Sequence, residues 1–301
     1  MGAGASSYDA ALPGLRSSLA RTPCYKKPGT PVFADVPPAA LATVLGKGIS
    51  TLERWDGRSG TPSELLDDLA AHLREYTAPD CAGFRATGSK NGIDYEVHDG
   101  LTATSSAGDA YFRLTGTLQL PAKLLLALLM APEKMGAVDP TVRHLEFFHA
   151  LPPRDDGAPD GRAFLAYWLA QPPLFVLAPR DGVDLSGWWG DAEAGTYWQG
   201  AVTVTKADGA DMPSRDGAVR AADMYWGYRL QESAGADGVP QVKATLVCQT
   251  ALRGNMPVGL KNPAVCGVLA DYMRSIEALG AELLKAGRAA EFVEAHEGLS
   301  L

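Results

Sequence analysis

The sequence predicts an α+β fold in which a curved antiparallel sheet wraps around a long C-terminal helix. Three observations predict it: a capped helical stripe beginning at Thr61, a train of short β-rich segments from Gly83 to about Leu252, and a second capped apolar stripe from Asn262. The 301 residues are 46% hydrophobic and 21% charged, enough apolar material for one large core rather than two full domains.

Residues 1–58 are rich in Ala, Pro, Gly and Ser ("LPGLRSS", "KKPGTPVFADVPPAAL") and hold no sustained period, so they read as an extension. In "TPSELLDDLAAHLREYT", Thr61 is placed as N-cap, Pro62 in the first turn and Glu64 as the far half of a capping box. Leu65, Leu66, Leu69 and Leu73 form one apolar stripe, which makes this a helix. "GIDYEVH", "AYFRLTGTLQL", "VRHLEFFHAL", "RAFLAYWLA", "GTYWQGAVTVT", "AVRAADMYWGYRL" and "VKATLVCQT" then read as strands of an antiparallel meander. One short helical segment, Pro121 to about Met135, interrupts them, opened by Pro121 and ended or kinked by Pro132. In the last long segment Asn262 is the expected N-cap and Pro263 the first turn, with Val265, Leu269, Tyr272, Ile276, Leu279 and Leu283 at helical spacing. The domain therefore spans 59–288, with 289–301 as a C-terminal tail. Helix, sheet with helical insert and closing helix make a helix-grip arrangement, and a strongly twisted sheet around one helix leaves a hydrophobic tunnel unless large side chains fill it.

Charge and motifs exclude several functions. Lys and Arg total 27 against 35 Asp and Glu, a formal charge of −8, so no positive field recruits nucleic acid or holds an anionic membrane. Cys24, Cys81, Cys248 and Cys266 stand far apart without a CxxC pair, as expected of packing residues in a reducing compartment. The run Leu124 to Met130 is too short to span a bilayer and the N-terminus lacks a secretory pattern, which points to a cytoplasmic protein. GxSxG, HExxH, P-loop and GxGxxG motifs are missing, so no catalytic residue, metal ligand or cofactor is assigned. In "HLEFFH", alternation puts His144 and Glu146 on one strand face and His149 on the other, which prevents a shared metal. In "APRDGVD", Arg180, Asp181 and Asp184 read as a structural ion-pair cluster at a strand entrance.

The runs "GDAYFRLTGTLQLPAKLLLALLMAPEKMGAVDPTVRHLEFFHAL", "PLFVLAPRDGVDL", "MPSRDGAVRAADMYWGY" and "VCQTALRGNMPVGLKNP" resemble, in order and wording, the START (steroidogenic acute regulatory protein-related lipid transfer) domain across roughly residues 60 to 288. Pro179-Arg180-Asp181 and the Met-Pro loop leading to Val219-Arg220-Ala221 carry most of the resemblance, while Ala137-Val138 and Gly254-Asn255 depart from the family pattern. The resemblance implies a non-catalytic module holding one hydrophobic molecule, a sterol, phospholipid, ceramide or carotenoid-like compound, and touching membranes transiently. The alternative is an enzyme of the cyclase or hydroxylase-subunit type on the same scaffold.

It further implies that Arg113, on the strand face opposite Phe112 and Leu114, lies inside the tunnel with an acidic partner on the preceding strand, Asp94 first and Glu96 second. A buried charge requires such a partner. The remaining expected ligand-binding positions are Tyr167, Met224, Trp226, Asn255, Met256, Leu269, Tyr272, Met273 and Ile276. Arg253 to Pro263 reads as a Gly-Pro-rich hinge for a gate formed by the closing helix, with Met256 and Leu260 as its apolar membrane contacts. "MGAGASS" fits an N-myristoylation pattern at Gly2.

Overall fold

The computed structural model describes residues 49–99, 111–131, 134, 138–139, 141–150, 163–171, 178–191, 194–212, 214–215, 217–235, 238–251 and 258–297. Strands β1 (Leu52–Arg54) and β2 (Ser59–Gly60) precede helix α1 (Pro62–Tyr76). Strands β3 (Phe84–Lys90), β4 (Ile93–His98) and β5 (Phe112–Leu118) lead to helix α2 (Ala122–Leu129). Next come β6 (Val142–Ala150), β7 (Ala163–Ala170), β8 (Arg180–Asp191), β9 (Thr196–Ala207), β10 (Ala210–Asp211), β11 (Val219–Arg220), β12 (Ala222–Ala234) and β13 (Pro240–Ala251). Helices α3 (Val258–Lys285) and α4 (Ala289–Glu297) close the chain.

The long strands hydrogen-bond in the order β3-β4-β5-β13-β12-β9-β8-β7-β6. This is two antiparallel meanders joined where β5 lies against β13, with Leu114 opposite Leu246, rather than the single meander the β-rich train predicts. Local periodicity carries no trace of a pairing between strands so distant along the chain.

Alternation divides the sheet into an outer face covered by α1 and an inner face covered by α2, α3 and α4. Helix α1 starts as its sequence dictates: the Thr61 side chain accepts from the Glu64 N–H, and the Glu64 carboxylate accepts from the Thr61 N–H at 2.8 Å. Of its buried stripe, Leu65, Leu66, Leu69 and Leu73, the last two lie over the neighbouring glycines, Leu69 and Leu73 over Gly200 of β9 and Leu73 over Gly227 of β12. A Cβ on Gly227 would stand 2.5 Å from Leu73 Cδ1 and 2.6 Å from the Gln199 carbonyl oxygen, so only glycine permits this approach.

Two of the long strands fall outside the sequence expectation, β3 and β8. Glycine dilutes the β signal of β8, and it does so for a packing reason. The ring of Trp168 lies over Gly182 and that of Tyr197 over Gly190, where an added Cβ would come within 2.5 Å of each.

The boundaries also move. Strand β1 belongs to the domain although it falls in the expected extension, because Leu52 pairs with Ala207 and the Trp55 indole donates to the Met224 carbonyl at 3.0 Å. The expected tail contains α4, whose Phe292 and Val293 join the core beneath α3. The chain reverses into it at Gly287, whose φ of 67° favours glycine. Helix α3 begins at Val258, so Asn262 and Pro263 lie within its opening turns instead of capping it. Helix α2 follows Pro121 without a side-chain cap of its own; Glu232 of β12 supplies one, accepting from the Ala122 N–H at 2.7 Å. Among the described residues no helix is long and apolar enough to cross a membrane.

Candidate functional site

The inner face is where sheet and C-terminal helix meet. Phe112 and Leu114 of β5, Leu246 and Cys248 of β13, Tyr228 and Leu230 of β12, and Trp188 of β8 share one buried core with Leu269, Tyr272, Met273 and Ile276 of α3 and the leucines of α2. Trp226 packs against that core with its ring centroid 6.3 Å from Tyr272 and 6.4 Å from Tyr228, both edge-on. Of the expected ligand-binding positions, the fold brings together Trp226, Leu269, Tyr272, Met273 and Ile276. Burial, and secondarily the nearby Asp139 carboxylate, holds the Tyr272 hydroxyl well above the usual tyrosine range.

The expected polar end of the tunnel is corrected. Arg113 is opposite Val247 and Glu96, on the outer face, while its neighbours Phe112 and Leu114 point to α3. Its guanidinium pairs with Glu96 at 2.6 Å, donates to the Ala78 carbonyl at 3.1 Å and lies 4.1 Å from the Phe84 ring centroid. The pair fastens the turn after α1 to the sheet. Asp94, the first-choice partner, is exposed and stands opposite Thr115. The physical reason is the period of two: with Phe112 and Leu114 committed to the helix-covered core, Arg113 has only the other face.

Tyr167 is corrected likewise. It is buried in the outer-face core with Leu165 and Leu169, its hydroxyl 3.4 Å from Asp181. Asp181 also pairs with Arg220 of β11 at 3.3 Å and accepts from the Arg215 N–H at 2.8 Å. Met224 sits at a register shift between Asp223 and Tyr225 and packs with Ala222, Ala251, Trp55 and Tyr225, apart from the α3 core. Asn255, Met256 and Gly2 lie outside the described residues, as do residues 253–257 of the expected hinge.

Sequence reading named Asp184 but missed that it belongs to a set of buried polar side chains on the inner face. Asp184, Ser186 and Trp188 of β8 alternate with the outer-face residues Val183 and Leu185. The Asp184 carboxylate accepts from Trp168 Nε1 at 2.7 Å and Thr203 Oγ1 at 2.6 Å, and Ser186 donates to the Gly200 carbonyl at 3.2 Å. One row further, Trp188, Gln199 and Tyr228 stand side by side across β8, β9 and β12, all at least nine-tenths buried. Reading "DLSGWW" as a strand reveals this period-two pattern, which the glycines of β8 hide.

On the outer face His72 of α1 is stacked on Tyr225 at 3.5 Å between centroids and hydrogen-bonded to the Tyr111 hydroxyl at 2.6 Å. Burial, and then the Arg54 charge, pushes its pKa down to about 3. It is a neutral packing histidine. Among the described residues no group of three His, Cys, Asp or Glu side chains is arranged to hold a metal ion.

The architecture matches solved START-domain structures. Against human STARD10 the TM-score is 0.58 at 19% identity, covering 74% of this chain and 82% of that one. Against the human StAR-related lipid transfer protein 5 it is 0.58 at 15% identity, covering 74% and 97%. The chain thus has the START-type helix-grip fold. No protein-family model and no curated protein sequence matches it.

Proposed function

We propose that the protein binds one hydrophobic lipid between the inner face and α3, and carries or senses it in the cytoplasm without transforming it. The observation that carries this reading is the division of the sheet. One face is a largely apolar and aromatic wall, and the amphipathic α3, carrying Leu269, Tyr272, Met273 and Ile276, lies over it beside α2. Its fold neighbour is named for lipid transfer, which supports the same reading. Opening α3 exposes that wall while leaving the outer core under α1 intact.

Val268 of α3 is 37% exposed, and it gives the first half of this helix an apolar point of contact with a bilayer. Such contact needs no help from charge, in keeping with a chain of net charge −8. The test is transfer of sterol, ceramide and phospholipid between donor and acceptor vesicles. Protein-dependent transfer of at least one class, with the lipid recovered unchanged, supports the reading. No transfer or binding of any class, or recovery of a converted product, overturns it.

A further inference from the structure

Three polar atoms on the inner face have no hydrogen-bond partner although each is fully buried: Trp188 Nε1, Gln199 Oε1 and the Tyr228 hydroxyl. The side chains carrying them are 4%, 5% and 1% exposed. They are lateral neighbours, since Gln199 is the register partner of Trp188 on one side and of Tyr228 on the other. Side chains directly opposite one another across a sheet are in reach of a common group. Each orphan is costly, because burial removes its water and nothing replaces it. Three in one row, on the face that the closing helix covers, mark a place where something absent from the bare chain completes the bonding.

The chemistry of the three selects the partner. An indole N–H only donates, an amide oxygen only accepts, and a phenol does both. A phosphodiester, a carboxylate or an esterified carbonyl offers acceptors alone and leaves Gln199 Oε1 unpaired. A quaternary ammonium offers neither a donor nor an acceptor. A hydroxyl accepts from Trp188 while donating to Gln199, and leaves Tyr228 a further lone pair or proton to meet. The carboxylate of Asp184, two rows along β8 on the same face, argues the same way, since an acid there disfavours an anionic headgroup.

We infer that the row Trp188–Gln199–Tyr228 is the polar anchor of the lipid site and that it selects a neutral lipid bearing a free hydroxyl. The inference rests on the lipid-binding reading and names the ligand class of that site. In place of the outer-face Arg113, it gives the apolar wall an orienting point of its own.

The test pairs each hydroxylated probe with the same molecule blocked by an ester: dehydroergosterol with its acetate, and dioleoylglycerol with trioleoylglycerol, with dioleoylphosphatidylcholine as the charged comparison. Wild-type protein binds at least one free hydroxyl probe about tenfold or more tighter than its blocked form. The pair that shows it tells a sterol from a diacylglycerol. In Gln199→Leu and Trp188→Phe that discrimination falls to within about threefold, since the donor or acceptor that reads the hydroxyl is gone.

Tyr228→Phe supplies a check independent of ligand. Removing an unpartnered buried hydroxyl leaves the thermal midpoint of the lipid-free protein unchanged or raised, whereas a drop of several degrees shows that the hydroxyl has a partner and overturns the assignment. Equal binding of free and blocked probes, or phosphatidylcholine binding best, overturns the inference while lipid binding stands. No binding of any probe overturns the inference, and the vesicle-transfer assay, which includes ceramide, then decides whether the lipid-binding reading stands.

Discussion

Arg113 and Glu96 form an ion pair at 2.6 Å on the sheet face that the C-terminal helix does not cover. The guanidinium is buried, the carboxylate is about a quarter exposed, and the Ala78 carbonyl and the Phe84 ring complete the arginine's surroundings. Arg113→Leu therefore removes a fastening of α1, and the expected loss of stability is about 1–3 kcal/mol. Lipid affinity of the folded variant stays within about twofold of wild type, because no inner-face contact changes. Urea unfolding and a binding titration on the same preparation check both halves. A tenfold loss of affinity at full folding returns the pair to the lipid site.

Gly227 sets how closely α1 lies on the sheet. An alanine there brings its Cβ to 2.5 Å from Leu73 Cδ1 and 2.6 Å from a backbone oxygen, and the backbone has less room to yield than the leucine. Gly227→Ala is expected to cost about 2–3 kcal/mol by overpacking. A thermal midpoint equal to that of wild type contradicts the close approach.

His72 makes the domain acid-sensitive. Its pKa is about 3 when folded against 6.5 when exposed, so below pH 6.5 the unfolded chain takes up a proton that the folded chain refuses. Its contribution to stability is fully present above pH 6.5 and is lost as pH falls from there toward about 3. Between pH 7 and pH 5 the expected loss is about 2 kcal/mol. His72→Gln has no such titration, so the difference between the two stability profiles isolates the effect; parallel profiles contradict it.

Cys266 offers a probe of whether α3 opens. It is 3% exposed on α3, and burial pushes its pKa up to about 12, so neither access nor thiolate favours reaction. In a variant lacking Cys24, Cys81 and Cys248, alkylation of Cys266 is expected to run at least tenfold slower than for a free thiol, and to accelerate when vesicles are added. Fast labelling without vesicles, or a rate that vesicles leave unchanged, contradicts opening of α3 at a membrane.

Much of the fold was legible because its elements announce themselves locally. The Thr61–Glu64 capping box and the leucine stripe of α1, the two prolines around α2, and the spacing Leu269, Tyr272, Ile276 in α3 are properties of neighbouring residues. What was illegible depends on partners far along the chain. Glycines 182 and 190 weaken β8 as a strand, and only the rings of Trp168 and Tyr197, brought in by β7 and β9, explain them. Arg113 was assigned to the wrong face for a related reason. Alternation fixes which residues share a face with it, but not which face the closing helix will cover. The row Trp188–Gln199–Tyr228 emerges only when three separate strands come into register.

The central claim is that one lipid occupies the space between the inner face and α3. Native mass spectrometry of the protein isolated from the cells that make it tests this most directly. The expected spectrum shows the chain mass plus a single lipid mass at near one-to-one occupancy, with the adduct lost on denaturation and recovered intact in the organic extract. A spectrum of the bare chain alone, unchanged after incubation with vesicles containing sterol, diacylglycerol, ceramide and phospholipid, contradicts it.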